Sequence, residues 1–291
     1  VLAIAGGIGA AISFAISTLV SARASRLVGA PVTVAGVMVV GAVLVLPFAL
    51  LVSPLPSGAG GLLAATLSGA CNIGGLLLAY TAYRIGTVGV VATVASTEGA
   101  IGALISVLAG QRLAPGSGPI LAVVATGVAL AATGGGGEIE EGRRIDRRHS
   151  LQAAGMALLA AMLFGSGLYL AGSVSNDLPV AWVLLPSRLL GCLVLALPLL
   201  LLGRAKVTRQ AAPFIVVCGI VEVTGFSAFT IGAQESIAVT SVLASMFAPI
   251  AAVGSFLLFG ERLARRQIGG IVLVVAGVAL LGAVGAAAAG G

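Results

Sequence analysis

The sequence predicts an all-α integral membrane protein of ten transmembrane helices, arranged as two inverted five-helix repeats. Composition carries the first part: 59% of the 291 residues are hydrophobic and 8% are charged, against about 25% charged in an ordinary soluble domain. Apolar runs of about 20 residues recur along the chain, each long enough to cross a ~30 Å hydrocarbon layer as a helix. The third observation is internal. Residues match at a constant offset of 150, pairing Phe14 with Phe164, Gly41 with Gly191, Gly69 with Gly219 and Gly75 with Gly225.

The ten helices are expected near 1–20, 32–52, 61–80, 86–109, 117–134, 151–172, 180–202, 212–233, 236–259 and 267–287. The first run has no basic leader or small-residue cleavage site, and it is longer than a signal peptide's apolar core, so it reads as a retained span. The long polar segment "TGGGGEIEEGRRIDRRHS" (133–150) divides the helices five and five, with flexible glycines followed by solvated charges. This gives a first repeat over 1–134, a linker over 135–150 and a second repeat over 151–291. The offset is clearest late in each half, where "GQRL" (110–113) matches "GERL" (260–263) and "TGVAL" (126–130) matches "AGVAL" (276–280).

An odd number of spans in the first half makes the second enter the membrane from the opposite side, which inverts the repeats. The basic residues agree. Arg23, Arg26, Arg84, the "RRIDRR" run, Arg204, Lys206, Arg209, Arg262, Arg265 and Arg266 fall on one side and Arg112 on the other. The positive-inside rule assigns the Arg-rich side to the cytoplasm of a cell's inner (plasma) membrane and leaves both termini outside.

Several function classes are disfavoured. Cys71, Cys192 and Cys218 lie in apolar runs without metal-ligand spacing, and His149, the one histidine, sits in the charged linker. No metal site, cofactor site or Ser-His-Asp triad is signalled, and no nucleophile with a base in reach argues for an enzyme. There is no Walker-type loop, since "GGGGE" (134–138) is followed by acids that repel phosphate. The basic loops are too sparse for nucleic acid; "RRIDRR" (143–148) suits anionic membrane lipid.

The chain resembles the ten-helix EamA-type transporters of the drug/metabolite transporter superfamily, most specifically over "SVLASMFAPIAAVGSFLLFGERLARRQIGGIVLVVAGVAL" (241–280). The shared features are the central Pro249, Gly260-Glu261-Arg262 at a helix end, Gln267 with Gly270, and Ala276-Gly277-Val278. The first half departs from the pattern: Gln111 replaces the glutamate, and Gly99 stands where Pro249 stands. The resemblance implies a secondary transporter of small metabolites, often an exporter of amino acids or toxic compounds. It also implies cytoplasmic termini, against the charge bias of the loops.

The candidate site comes from polar groups at mid-membrane. An acid there costs about 2.5–3.5 kcal/mol on insertion scales, so it is kept for a reason. Glu98 lies centrally in the fourth helix, Glu222 in the eighth, Arg188 near the middle of the seventh and Asn72 in the third; the offset pairs Asn72 with Glu222. Convergence of such groups between inverted repeats is how secondary transporters build a midplane site. A glutamate cycling between protonated and ionised forms would couple proton movement to transport. Arg188 would offer a fixed donor fork to a substrate carboxylate, and either glutamate would bind an amino group.

The structural reading of the same residues is an Arg188–glutamate ion pair and an Asn72 that joins helices by hydrogen bonds. Phe226, one turn beyond Glu222, is a candidate cavity-lining ring. Tyr80, Tyr83, Tyr169 and Trp182 lie toward helix ends, where rings anchor at the membrane interface. Pro47, Pro186, Pro198 and Pro249 are expected to interrupt helices, with Pro249 and Gly99 as the candidate hinge. The leading expectation is a carrier exporting an amino acid or related zwitterion by alternating access. Its alternatives are a proton-coupled exporter of cationic drugs, which Arg188 opposes, and a non-transporting membrane scaffold. Substrate identity and oligomeric state are not encoded legibly.

Overall fold

Hydrocarbon offers no water to backbone amides, so a segment crossing it must close its own hydrogen bonds. The computed structural model follows that requirement. It describes residues 1–56, 59–86, 88–111, 116–132 and 147–251, with eight positions between 268 and 280, and all regular structure among them is helical. The helices are α1 (Leu2–Val28), α2 (Ala30–Leu51), α3 (Ala59–Ile85), α4 (Val88–Ala95), α5 (Glu98–Leu108), α6 (Ser117–Ala132) and α7 (Arg147–Ser173). Then come α8 (Val180–Gly191), a π turn (Cys192–Ala196), α9 (Leu197–Leu201), α10 (Ala212–Ala233) and α11 (Ile237–Ala244), with residues 247–251 again helical.

Among the described residues, six helices are long and apolar enough to cross a membrane: Leu2–Val28, Ala30–Leu51, Ala59–Ile85, Leu151–Ser173, Val180–Leu201 and Ala212–Ala233. Shorter apolar helices cover Glu98–Leu108, Gly118–Gly127 and Ile237–Ala251. The linker through 146, the "GERL" segment, Gln267 and Arg112 lie outside the described residues.

Punctuation follows local chemistry. Gly29 ends α1 with φ +90°, a conformation other residues adopt only with strain, while its N–H bonds the Ser25 carbonyl at 2.9 Å; Pro31 then opens α2. Ser236 caps α11, its hydroxyl accepting from Val239 N–H. Large apolar side chains point outward along α2 and α8–α9, including Val43, Phe48, Leu51, Leu193, Leu200 and Leu201. A lipid solvent makes that surface favourable; the inward faces of the same helices mix apolar residues such as Val37 and Leu184 with small or polar ones such as Thr33, Gly41 and Ser187.

Packing comes in reciprocal pairs. α1 lies along α10 and α7 along α3; α4 contacts α7 and α11 contacts α1; α3 meets α8 and α2 meets α10. Of the remaining large contacts, α2 with α8 joins positions that correspond under the 150-residue offset, and α5 with α11 brings the two broken segments together. Close approach depends on absent side chains. A Cβ on Gly6 would lie 2.6 Å from Gly232 Cα, so α1 and α10 cross backbone to backbone.

Three expectations about the helices change. The fourth span is not continuous but broken at Ser96–Thr97, between α4 and α5. There the Thr97 N–H reaches only to the Val94 carbonyl (3.2 Å), and its hydroxyl donates to that same oxygen at 2.8 Å. A second break falls at Ser245–Met246, where the Met246 N–H bonds the Leu243 carbonyl (3.0 Å) and the Ser245 hydroxyl donates to Val242 O at 2.6 Å. Hydroxyl back-bonding competes with the helical ladder at both, and Pro249, four residues beyond Ser245, adds a ring that clashes with a continuing helix. Pro47 and Pro186, expected to interrupt helices, sit inside α2 and α8 without ending them. Pro198 follows the π turn, in which the Leu197 N–H bonds five residues back to Cys192 O.

Candidate functional site

Most of the mid-membrane polar groups meet at one cavity. It holds about 590 Å³ of space free of protein atoms, counting its open mouth, and Glu98, Glu222, Asn72 and Phe226 all line it. α5 supplies Glu98 as its first residue, immediately after the Ser96–Thr97 break; α10 supplies Glu222 and Phe226; α3 supplies Asn72. The offset pair Phe14 and Phe164 also faces the cavity. Each ring lies over a glycine of the other half. A Cβ on Gly225 would fall 2.7 Å from Phe14, and one on Gly75 would fall 2.6 Å from Phe164.

The two acids have different surroundings. Glu222 is 5% exposed and accepts a 2.7 Å hydrogen bond from Ser17 Oγ. A chain of contacts continues from there: Ser17 Oγ lies 3.4 Å from Cys218 Sγ, which lies 3.3 Å from the Tyr80 hydroxyl. Glu98 is 6% exposed, and no hydrogen bond to its carboxylate occurs among the described residues. Asn72 keeps Oδ1 buried without a partner. The amide therefore does not join helices through that oxygen.

Arg188 is placed elsewhere. It is 1% exposed and does not line the cavity; its guanidinium carbon lies 5.8 Å from the centre of the Phe226 ring. No ion pair joins it to Glu98 or Glu222 among the described residues. Its Nη1 donates to Met38 Sδ at 3.7 Å, and its Nε has no partner. Gly41 makes room for the stem, since a Cβ there would lie 2.7 Å from Arg188 Cδ. The expected Arg–Glu structural pair is thus absent from the described residues; the guanidinium faces the Phe226 ring and the Met38 thioether instead.

The hinge candidates lie beside the breaks. Gly99 sits where α5 crosses α11, its place for a Cβ 2.6 Å from Ser245 Cβ, so the two breaks touch; Pro249 follows in the helical turn 247–251. Ser241 Oγ, at the same crossing, is buried without a partner.

Other lining residues did not stand out in the sequence. Ser17, Thr18 and Ser21 read as ordinary helical hydroxyls, though all recur on one face of α1. Tyr80 and Tyr83, expected at the interface, are 2% and 3% exposed and line the cavity. The reason is length: α3 runs to Ile85, five residues past its expected end, which draws both rings inside the bundle. Trp182, also expected at the interface, packs against the buried cluster around Val183 and Leu185, with Nε1 buried and unpartnered. No group of three or more His, Cys, Asp or Glu occurs among the described residues.

Comparison with known proteins adds to this geometry. Residues 151–283 match the model of the EamA-like transporter family. That match covers most of the second half of the chain. A solved structure titled "Crystal structure of protein" is similar over 95% of each chain, with a TM-score of 0.68 and 18% identity, a likeness of fold. No curated protein matches. The six membrane-length helices among the described residues make this a multi-pass membrane protein, and its second half is similar to the EamA-like transporters.

Proposed function

We propose that this EamA-like protein is a secondary carrier of small amine-bearing metabolites, amino acids and related zwitterions first among them, working by alternating access between two inverted repeats. One observation carries the reading: two carboxylates, Glu98 and Glu222, open on a single cavity walled by aromatic rings from both halves. Carboxylates supply charge-assisted acceptors to an ammonium group, and ring faces attract the same cation. The reciprocal helix pairings support the inverted repeats, and the broken helices beside Gly99 and Pro249 are where one repeat would rock on the other. In this scheme Glu98, whose carboxylate has no hydrogen bond among the described residues, takes a proton when substrate leaves, with the Arg-rich loops on the cytoplasmic side of the inner membrane.

A second reading has one observation in its favour. Arg188 does not line the cavity, so a cationic drug entering it would meet acids and rings without a facing guanidinium.

The test is counterflow of labelled compounds into proteoliposomes holding the purified protein. Labelled amines or amino acids should exchange across the membrane, and Glu98→Gln and Glu222→Gln should each reduce exchange to the level of empty vesicles. Unchanged exchange in both variants would assign the acids a structural role. Exchange of no amine-bearing compound by the unaltered protein would reject the carrier reading.

A further inference from the structure

Arg188 is the least satisfied charge in the described core. A guanidinium presents five N–H donors in a planar fork, and leaving a charged group buried and unmatched is among the costliest arrangements a protein keeps. Here the described residues give it a thioether at 3.7 Å and a ring face at 5.8 Å, with Nε unpartnered. Its stem is fixed in place along Gly41, and its position is not a by-product of duplication: the corresponding residue in the first half is Met38, the thioether it touches.

One side chain touches both Arg188 and the cavity. Phe226 lines the cavity one turn beyond Glu222, and the guanidinium carbon lies 5.8 Å from its ring centre. The ring is half-buried, and its edge contacts to Phe14 (5.9 Å) and Phe229 (6.4 Å) are aromatic pairings rather than an interlocked fit. A turn about its side-chain bonds is the movement that would open the space beside Glu222 toward the Arg188 donors.

We propose that Arg188 is a second, gated subsite that binds the carboxylate of a zwitterionic substrate when Phe226 swings aside, while the ammonium end stays with the Glu222 and Glu98 carboxylates. This rests on the reading of the cavity as the substrate site. Both ends of an α-amino acid are then matched by opposite charges on either side of one ring, and a plain amine leaves Phe226 closed. A carboxylate gives the fork its bidentate partner. A cation of similar size gains nothing from opening the gate.

The experiment compares three ligands with one side chain: phenylalanine, its methyl ester and phenethylamine. Thermal stabilisation of the purified protein and counterflow in proteoliposomes are both measured. The unaltered protein should bind phenylalanine roughly tenfold or more tightly than the ester or the amine, the size of a charge-assisted hydrogen bond. Arg188→Gln should erase that ratio, and Arg188→Lys should restore part of it, because a point charge attracts the carboxylate without matching its fork. A merely structural role for Arg188 would lower binding of all three ligands together and leave the ratio intact.

Phe226→Ala should speed phenylalanine association, the gate being gone. Equal binding of amine and amino acid by the unaltered protein, or a ratio that survives Arg188→Gln, overturns the subsite while leaving the carrier reading in place. Binding of none of the three, nor of any other amine, removes the carrier reading itself.

Discussion

Where α1 meets α10, the Ser17 hydroxyl donates to Glu222 at 2.7 Å; where α7 meets α3, the corresponding pair is Gly167 and Asn72, and Asn72 Oδ1 has no partner. The helices cross in the same pairing at both corners, and the rings of Phe14 and Phe164 fill equivalent places. Packing is repeated while chemistry is not. Two matching corners help close a bundle, but a cavity that binds one end of a substrate differently from the other needs its corners unlike. Met38 and Arg188 differ in the same sense. The asymmetry is carried by side chains on a backbone arrangement that stays reciprocal.

Making the corners alike is the most damaging test. Glu222→Gln replaces the carboxylate by an amide like that of Asn72. Substrate-driven exchange should fall to background, and amine binding should weaken by roughly 10- to 100-fold, as expected when a charge-assisted bond is lost. Asn72→Ala should cost only about threefold, in keeping with a neutral amide. Similar losses at the two positions would mean that the corners do the same job. Isothermal titration with phenethylamine gives both numbers.

A packing comparison comes next. A Cβ on Gly69 would lie 2.5 Å from Ser187 Cα, which is backbone, whereas one on Gly219 would meet the Val40 side chain at 2.6 Å. Backbone cannot step aside, and a valine side chain can shift slightly. Gly69→Ala should therefore destabilise by about 2–3 kcal/mol and Gly219→Ala by about 1–2 kcal/mol, the range for overpacking. Midpoints of denaturant unfolding in detergent would rank them. Equal effects would show that the α3–α8 and α2–α10 crossings are equally tight.

The contrast between packing and chemistry also explains what could be read in advance. Apolar runs and the offset of 150 are properties of the chain itself, so the spans and the glycine pairs Gly75–Gly225 and Gly69–Gly219 were visible before any coordinates. Glu98, Glu222 and Asn72 stood out because polar groups at mid-span are rare. The breaks beside Glu98 did not, since "TVASTEG" keeps the apolar pattern and the decisive event is a hydroxyl bonding its own backbone. Tyr83 was misplaced because its depth depends on where α3 stops. Arg188 was assigned to the cavity from depth alone, but which neighbour screens it depends on the rotamer of Phe226, and no sequence spacing encodes a rotamer.

A smaller test concerns the bonded corner. Ser17→Ala removes the hydroxyl that donates to Glu222 and also touches Cys218. Losing one such bond should change stability or amine affinity by about 1 kcal/mol, roughly fivefold. Ser17→Gly, which copies the residue at 167, should add only a further fraction of a kcal/mol, the helix cost of glycine over alanine. A loss on the scale of Glu222→Gln would mean that Ser17 itself contacts substrate.

Met38→Leu should have the smallest effect and separates volume from sulfur. The side chain fills the space over Gly191, where a Cβ would lie 2.9 Å from Met38 Sδ, and leucine conserves most of that volume at a cost under about 1.5 kcal/mol. What leucine cannot supply is an acceptor, since Sδ is the atom that Arg188 Nη1 addresses at 3.7 Å. A thioether is a weak acceptor, so its loss should leave the thermal midpoint nearly unchanged while freeing the guanidinium for a carboxylate. Phenylalanine affinity should accordingly hold or rise by about twofold, with phenethylamine affinity unmoved. A fall in phenylalanine affinity alone would show instead that the sulfur positions the fork, and the two halves would then cooperate at the one place where their side chains differ most.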